Sequence, residues 1–310
     1  MLKIARYEKR NLELASRLAK LFSVQNIDQS EYYSQLPLPA TPTLPEIAPT
    51  PDNPPWGVLA AIGVWIASVF FILVVPSVVL LPYLATMNPP IIGTDEIIEF
   101  AKTDPTSIFL QILAIIPAHI FTLVVAWLVV TRARKFSFRR TLGWKKGGFV
   151  WWHYCIILAG FIVISSLVNE YFPEQENDLI RILQSSRSAV YIVAFVATFT
   201  APLVEEVIYR GVLYSAFQRK FGVPAAFVFV TFLFSLVHVP QYWPSYSTIF
   251  LLALLSLTLT AIRVKANNLL PCIILHTLFN GLQSIILILE PYLKTTEVPD
   301  PAAVIFSFLY

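Results

Sequence analysis

Six stretches of this 310-residue chain carry no Asp, Glu, Lys or Arg at all: residues 56–94, 106–131, 147–169, 188–204, 221–262 and 266–289. Crossing the hydrocarbon core of a bilayer takes about 20 apolar residues as a helix. The run 221–262 is too long for one crossing, and Pro240 and Pro244 divide it. The pattern predicts seven helices, near 57–82, 107–131, 148–170, 188–218, 223–240, 245–264 and 268–289. Composition agrees, with only 13% charged residues, 56% hydrophobic ones and a mean hydropathy of +0.68. A soluble domain carries about 25% charge, so this surface is expected to be solvated by lipid. The fold class is therefore all-α, a polytopic transmembrane bundle.

Flanking segments set the expected organisation. Residues 1–35 read as a basic, amphipathic segment. Residues 36–55 hold eight prolines and are expected to form an extended linker with no packed core. Residues 56–185 carry the first transmembrane helices, 186–290 the polar helices described below, and 291–310 the C-terminal tail, whose apolar end 301–310 is too short to span. Lys and Arg crowd the loops after helices two, four and six, eleven in all, against four in the alternate loops. By the positive-inside rule this expects a cytoplasmic N-terminus. The first twenty residues lack an unbroken apolar core, so no cleavable signal peptide is expected. Cys155 and Cys272 both lie in apolar runs and imply no disulfide framework. A net charge of +3 with no basic–aromatic patch argues against nucleic acid as a partner.

Charges inside a span cost about 2.5–3.5 kcal/mol each on insertion scales and usually mark function. Helix four holds three within six residues, Glu205, Glu206 and Arg210 in APLVEEVIYRG. Glu206 and Arg210 are four apart and share a face. Glu205 is turned by about 100° and is left as the free carboxylate. The alternative is a helix ending at Val204, with the charges among headgroups.

Helix five holds Phe234 and His238, four apart. The turn near Gly222 lies sixteen residues from either Glu205 or His238, so a hairpin brings both to one level. Helix seven carries His276, Asn280 and Gln283 on one face, either a working stripe or a helix–helix hydrogen-bond seam. His119 and His153 have no acid at helical spacing and read as structural. Cys272, four before His276, is a weaker nucleophile candidate. No HExxH is present; Glu205, His238 and His276 are the set that would take a zinc ion if one is bound.

Three motifs carry a resemblance. EEVIYR (Glu205, Glu206, Arg210) is similar to EExxxR, FSLVH (Phe234, His238) to FxxxH, and HTLFN (His276, Asn280) to HxxxN. In this order, on successive apolar helices, they resemble the CAAX prenyl endopeptidase and bacteriocin-processing family of intramembrane proteases, which includes the eukaryotic Ras-converting endoprotease. The resemblance covers residues 205–280. It implies that Glu205 and His238 activate a water, that His276 and Asn280 form an oxyanion hole, and that Arg210 orients Glu206. It implies an endopeptidase needing no cofactor, cutting near the C-terminus of a membrane-associated peptide or protein. The protein is expected in the plasma membrane of a prokaryote, with substrate entering from the cytoplasmic face, where the basic loops 132–146, 219–220 and 263–265 would attract a C-terminal carboxylate. Two other readings use the same residues: a non-catalytic scaffold or bacteriocin self-immunity protein, and a proton-coupled transporter, for which no inverted repeat is visible.

Overall fold

The computed structural model describes residues 13–20, 48–91 and 93–293. The chain divides into two compact units, Met1–Ile47 and Ala48–Tyr310. In the first, residues 13–20 are helical; the rest of the expected basic segment, the Pro-rich residues 36–47 and the tail 301–310 lie outside the described residues.

The second unit is helical: α1 (Val58–Leu84), α2 (Thr94–Thr103), α3 (Pro105–Thr131), α4 (Phe138–Leu142), α5 (Trp151–Tyr171), α6 (Asp178–Ser185), α7 (Arg187–Phe221), α8 (Val223–Tyr242), α9 (Tyr246–Ala266) and α10 (Leu270–Leu293). Seven of these, α1, α3, α5, α7, α8, α9 and α10, are long and apolar enough to cross a membrane, within a few residues of the expected spans. Helix boundaries follow local chemistry. Asp104 accepts from the Ser107 N–H with Pro105 at the first turn, Asn177 accepts from Ile180 and Ser186 from Ala189, the usual side-chain caps. α3 is interrupted at Ala114, three residues before Pro117, which has no N–H to offer the Leu113 carbonyl. Three short helices, α2, α4 and α6, stand where the sequence was read as loop.

α7 is the axis of the bundle and packs against α1, α3, α8, α9 and α10. Small residues let the backbones approach: Ala61, Ala126 and Ala226 are fully buried, as expected where helices meet in lipid. One core joins α1, α3, α7 and α8 around Val64, Val207, Val230 and Phe234; another joins α5, α9 and α10 around Phe161, Leu259 and Leu275. Large apolar side chains such as Phe70, Ile156, Val228 and Phe250 face outward.

The end of the Pro-rich stretch corrects the expectation of an unpacked linker. Residues 48–55 are docked on the helices. Thr50 and Asn53 close a turn through reciprocal backbone bonds of 3.1 and 3.2 Å. Arg263, 1% exposed, donates to the Pro51 carbonyl at 3.0 Å and lies 3.6 Å from Asp52. Arg219 donates to the carbonyls of Pro54 and Trp56, and the buried Trp56 indole donates to the Val212 carbonyl at 3.0 Å. A proline carbonyl accepts as well as any other, and a buried guanidinium needs acceptors. Arg219 and Arg263, counted above as loop cations, are therefore committed to this segment.

At the opposite end, the loop before α6 is stitched to the start of α9. Thr248 and Asn177 donate to the Glu174 carboxylate at 3.0 and 3.1 Å, and the Gln175 N–H donates to Ser245 at 3.4 Å. Burial pushes the Glu174 carboxyl up to about 7, against which these two hydrogen bonds pull. The folded value lies above that of the unfolded chain, so the protonated form favours the fold. This contribution is full below about pH 4 and is lost as pH rises through about 7. Thermal midpoints of the purified protein in detergent are expected to fall across pH 5–8, and Glu174→Gln is expected to flatten that slope.

Candidate active site

The central chemistry is set by how α7 bends. Two wide, π-type turns, Val196–Thr200 and Val207–Leu213, interrupt it on either side of Glu205 and Glu206. In the first turn the Ala201 N–H bonds to Val196, one residue further back than in an α-helix. On that register the Ala197 carbonyl would pair with residue 202, which is proline and has no N–H. Asn280 of α10 supplies the missing donor, its amide 2.9 Å from the Ala197 oxygen. In the second turn, side chains also reach backbone carbonyls: Arg263 donates to Arg210 at 3.3 Å and Trp56 to Val212. Wide turns of this kind recur at functional sites.

Glu206 and Arg210 are fully buried and joined at 2.8 Å. The alternative of charges among headgroups is therefore not what the helix does. Arg210 also donates to the carbonyl and hydroxyl of Ser256 on α9, at 3.0 and 2.8 Å, and its guanidinium lies 4.9 Å from the Phe234 ring centre. Phe234 is a spacer, 1% exposed, with Tyr209, His238 and His276 around its ring.

His276 ties the two carboxylates together. Its Nδ1 lies 2.9 Å from Glu206 Oε1 and its Nε2 lies 3.8 Å from Glu205 Oε2. The Glu206 oxygen thus accepts from both Arg210 and His276, so Nδ1 carries the hydrogen and Nε2 is the nitrogen turned to Glu205. In His238 the Nδ1 lies 2.6 Å from the Phe234 carbonyl. A carbonyl only accepts, so that nitrogen is protonated and Nε2 presents a lone pair.

Glu205, His238, His276 and Asn280 all line one cavity of about 470 Å³, together with Gln283 and a largely aliphatic wall. Glu205 keeps 22% of its side chain exposed, where Glu206 keeps none. α6 closes part of the wall with Leu179, Ile182 and Leu183. The lining draws on the N-terminal parts of α3, α7 and α9 and the C-terminal parts of α8 and α10. The N-terminal ends of α3 and α7 are joined to the acidic loops, and the other ends named lie on the same side of the bundle by the alternation of the helices. The cavity therefore extends from mid-bundle toward the acidic loops, away from the basic loops where entry was expected, and at the basic end Arg219 and Arg263 are already engaged by residues 51–56.

Two histidines read as structural part ways. His153 accepts from the Val150 N–H at 3.0 Å at the start of α5. His119 lines the cavity, its Nδ1 2.9 Å from Thr200 Oγ1, and interacts electrostatically with Glu205. Its partners lie 81 and 86 residues away in sequence, so no local spacing could reveal it. Cys272 is buried outside the cavity lining, its thiol donating to the Leu259 carbonyl at 3.3 Å. Among the described residues no three His, Cys, Asp or Glu side chains are grouped to hold a metal ion. In His276 and His238 the Nδ1 atoms are taken by Glu206 and Phe234, which leaves each Nε2 as the atom that could be offered to an ion beside Glu205.

Arg210→Ala strands a buried carboxylate, a loss of about 3–5 kcal/mol. Yield and thermal midpoint in detergent are expected to fall together. Arg210→Lys is expected to recover little, because one ammonium cannot span Glu206, Ser256 and the Phe234 face.

Residues 187–282 match the model of the Rce1-like family, the type II CAAX prenyl endopeptidases. The matched segment takes in α7, α8, α9 and half of α10, with Glu205, His238, His276 and Asn280; His119 lies outside it. No curated protein and no solved structure matches the chain. At family level the match is to CAAX-type intramembrane proteases, and with its seven apolar helices the chain is an integral membrane protein.

Proposed function

We propose, from the match of residues 187–282 to the Rce1-like family model, that this chain hydrolyses a peptide bond near the C-terminus of a membrane-associated peptide or protein by means of Glu205. The observation that carries the reading is the division of labour between adjacent carboxylates. Glu206 is consumed by Arg210 and His276, while Glu205 faces a cavity large enough for a short peptide segment. Hydrolysis needs a base for the water and donors for the oxyanion that forms. In this proposal a water donates one hydrogen to Glu205 and the other to the His238 Nε2 lone pair. Its oxygen attacks the carbonyl carbon as Glu205 takes the proton. In this proposal His276 carries a hydrogen on both ring nitrogens, Nδ1–H to Glu206 and Nε2–H to the oxyanion, which the amide hydrogen of Asn280 not given to Ala197 also holds. The C–N bond then breaks, and Glu205 returns its proton to the leaving nitrogen.

The aliphatic wall supports an apolar substrate, such as a lipidated or membrane-inserted chain end. The loop charges support a cytoplasmic N-terminus, which sets the acidic-loop half of the cavity away from the cytoplasm. Entry in that half, instead of between the basic loops, agrees with the lining residues.

The test uses the full chain in detergent and a farnesylated Cys-aliphatic-aliphatic-Met peptide. Glu205→Gln is expected to keep its thermal midpoint and lose at least about 100-fold in cleavage, the scale of a general base. Activity is expected to survive dialysis against a strong chelator. Stoichiometric zinc, with activity lost on its removal and regained on its return, would overturn the water-and-carboxylate mechanism. An active Glu205→Gln protein would overturn the protease reading of this cavity.

A further inference from the structure

His119 has no part in the mechanism above, yet it faces the same cavity and feels the charge of Glu205. Its hydrogen-bond partner decides what it can offer. The Thr200 hydroxyl lies 2.9 Å from His119 Nδ1 and 3.2 Å from the Val196 carbonyl. One hydroxyl hydrogen cannot serve both contacts. Both are hydrogen bonds only if Thr200 donates to Val196 and accepts from a protonated Nδ1. Nε2 is then an unprotonated acceptor, on a residue that lines the cavity. The wide turn of α7 is what puts the Thr200 hydroxyl within reach of α3, so the tautomer follows from the same bend that frees Ala197 for Asn280.

A lone pair in the cavity that Glu205 also lines needs a donor. The water's two hydrogens are assigned to Glu205 and His238, and the remaining donor at the reacting bond is the N–H of the scissile amide. In a mostly aliphatic cavity that N–H would be left without a partner unless the protein supplies one, a loss of the kind that burial makes severe. We propose that His119 Nε2 accepts the scissile N–H of the substrate, making His119 a substrate-positioning residue that aims the leaving nitrogen at Glu205. As the nitrogen becomes pyramidal, a hydrogen bond held on its N–H turns its developing lone pair toward the proton on Glu205. No bond is made or broken at His119, which keeps its own proton on Nδ1 throughout. The inference rests on the role of Glu205 proposed above.

An ester replacing the scissile amide removes the N–H and nothing else from the donor set. With full-length protein in detergent, the farnesylated peptide and its ester counterpart are compared for wild type, His119→Ala and His119→Gln, thermal midpoints being measured in parallel. His119→Ala is expected to lower kcat/KM for the amide by roughly 10–100-fold and for the ester by less than about twofold. His119→Gln, whose amide oxygen reaches a similar position, is expected to recover most of the loss. Equal losses on amide and ester, or no loss on either, would overturn the assignment. Should His119→Ala not fold, His119→Leu takes its place, an amide-selective loss being expected and an equal loss on both, or none on either, counting against the assignment. Glu205→Gln, run alongside, is expected to abolish both reactions; if it spares both, the protease reading fails independently of what His119 does.

Discussion

A guanidinium fully buried among apolar helices must be neutralised and hydrogen-bonded, or the helix carrying it does not stay in the membrane. Arg210 meets that demand with Glu206 on its own helix, with the carbonyl and hydroxyl of Ser256 on α9, and with the face of Phe234 on α8. One side chain thus holds three helices in register. Glu206, fixed by Arg210, in turn orients His276 from α10. His276 then lies beside Glu205, the one acid in the group left facing the cavity. The geometry of the site is inherited, residue by residue, from an ion pair that itself has no access to substrate.

The same economy appears in the backbone. Pro202 is poorly tolerated in a regular helix, and α7 accommodates it with a wide turn. That turn leaves the Ala197 carbonyl to Asn280 and brings the Thr200 hydroxyl to His119. The second wide turn presents the carbonyls of Arg210 and Val212 to Arg263 and Trp56. Irregular backbone inside a membrane is tolerated only where protein groups satisfy it, and here each freed group meets a side chain from elsewhere in the chain. The docked residues 50–56 belong to this scheme, since their carbonyls satisfy Arg219 and Arg263 at the basic end of the bundle.

Much of the site was legible because its strongest signals are local. Glu206 and Arg210 are one turn apart, and an i,i+4 acid–base pair in an apolar helix has few alternatives to pairing. His276, Asn280 and Gln283 share a face by spacing alone, and all three line the cavity. The three motifs carry the resemblance to the CAAX prenyl endopeptidases, and the Rce1-like family model matches residues 187–282. Other features were not legible. Ser256 and Thr200 are ordinary residues of apolar helices until Arg210 or His119 arrives beside them. The Pro-rich segment reads as a linker because nothing in 48–55 reveals that buried arginines are waiting for its carbonyls.

The length of the charge-free runs and the placement of charge settled the number of membrane-spanning helices, their bounds to within a few residues and the all-α class, because in a bilayer the backbone must satisfy itself within each helix. Those are properties of one segment at a time, and a sequence displays them directly. Which groups Arg210 and His276 reach on other helices, which half of the bundle holds the cavity and what lies beside His119 were decided only by tertiary structure. Each depends on groups 46 to 86 residues apart in sequence meeting at hydrogen-bond distance or within electrostatic reach. Spacing along one helix encodes a face but not what is packed against it, and the chemistry of a buried group is set by its neighbours.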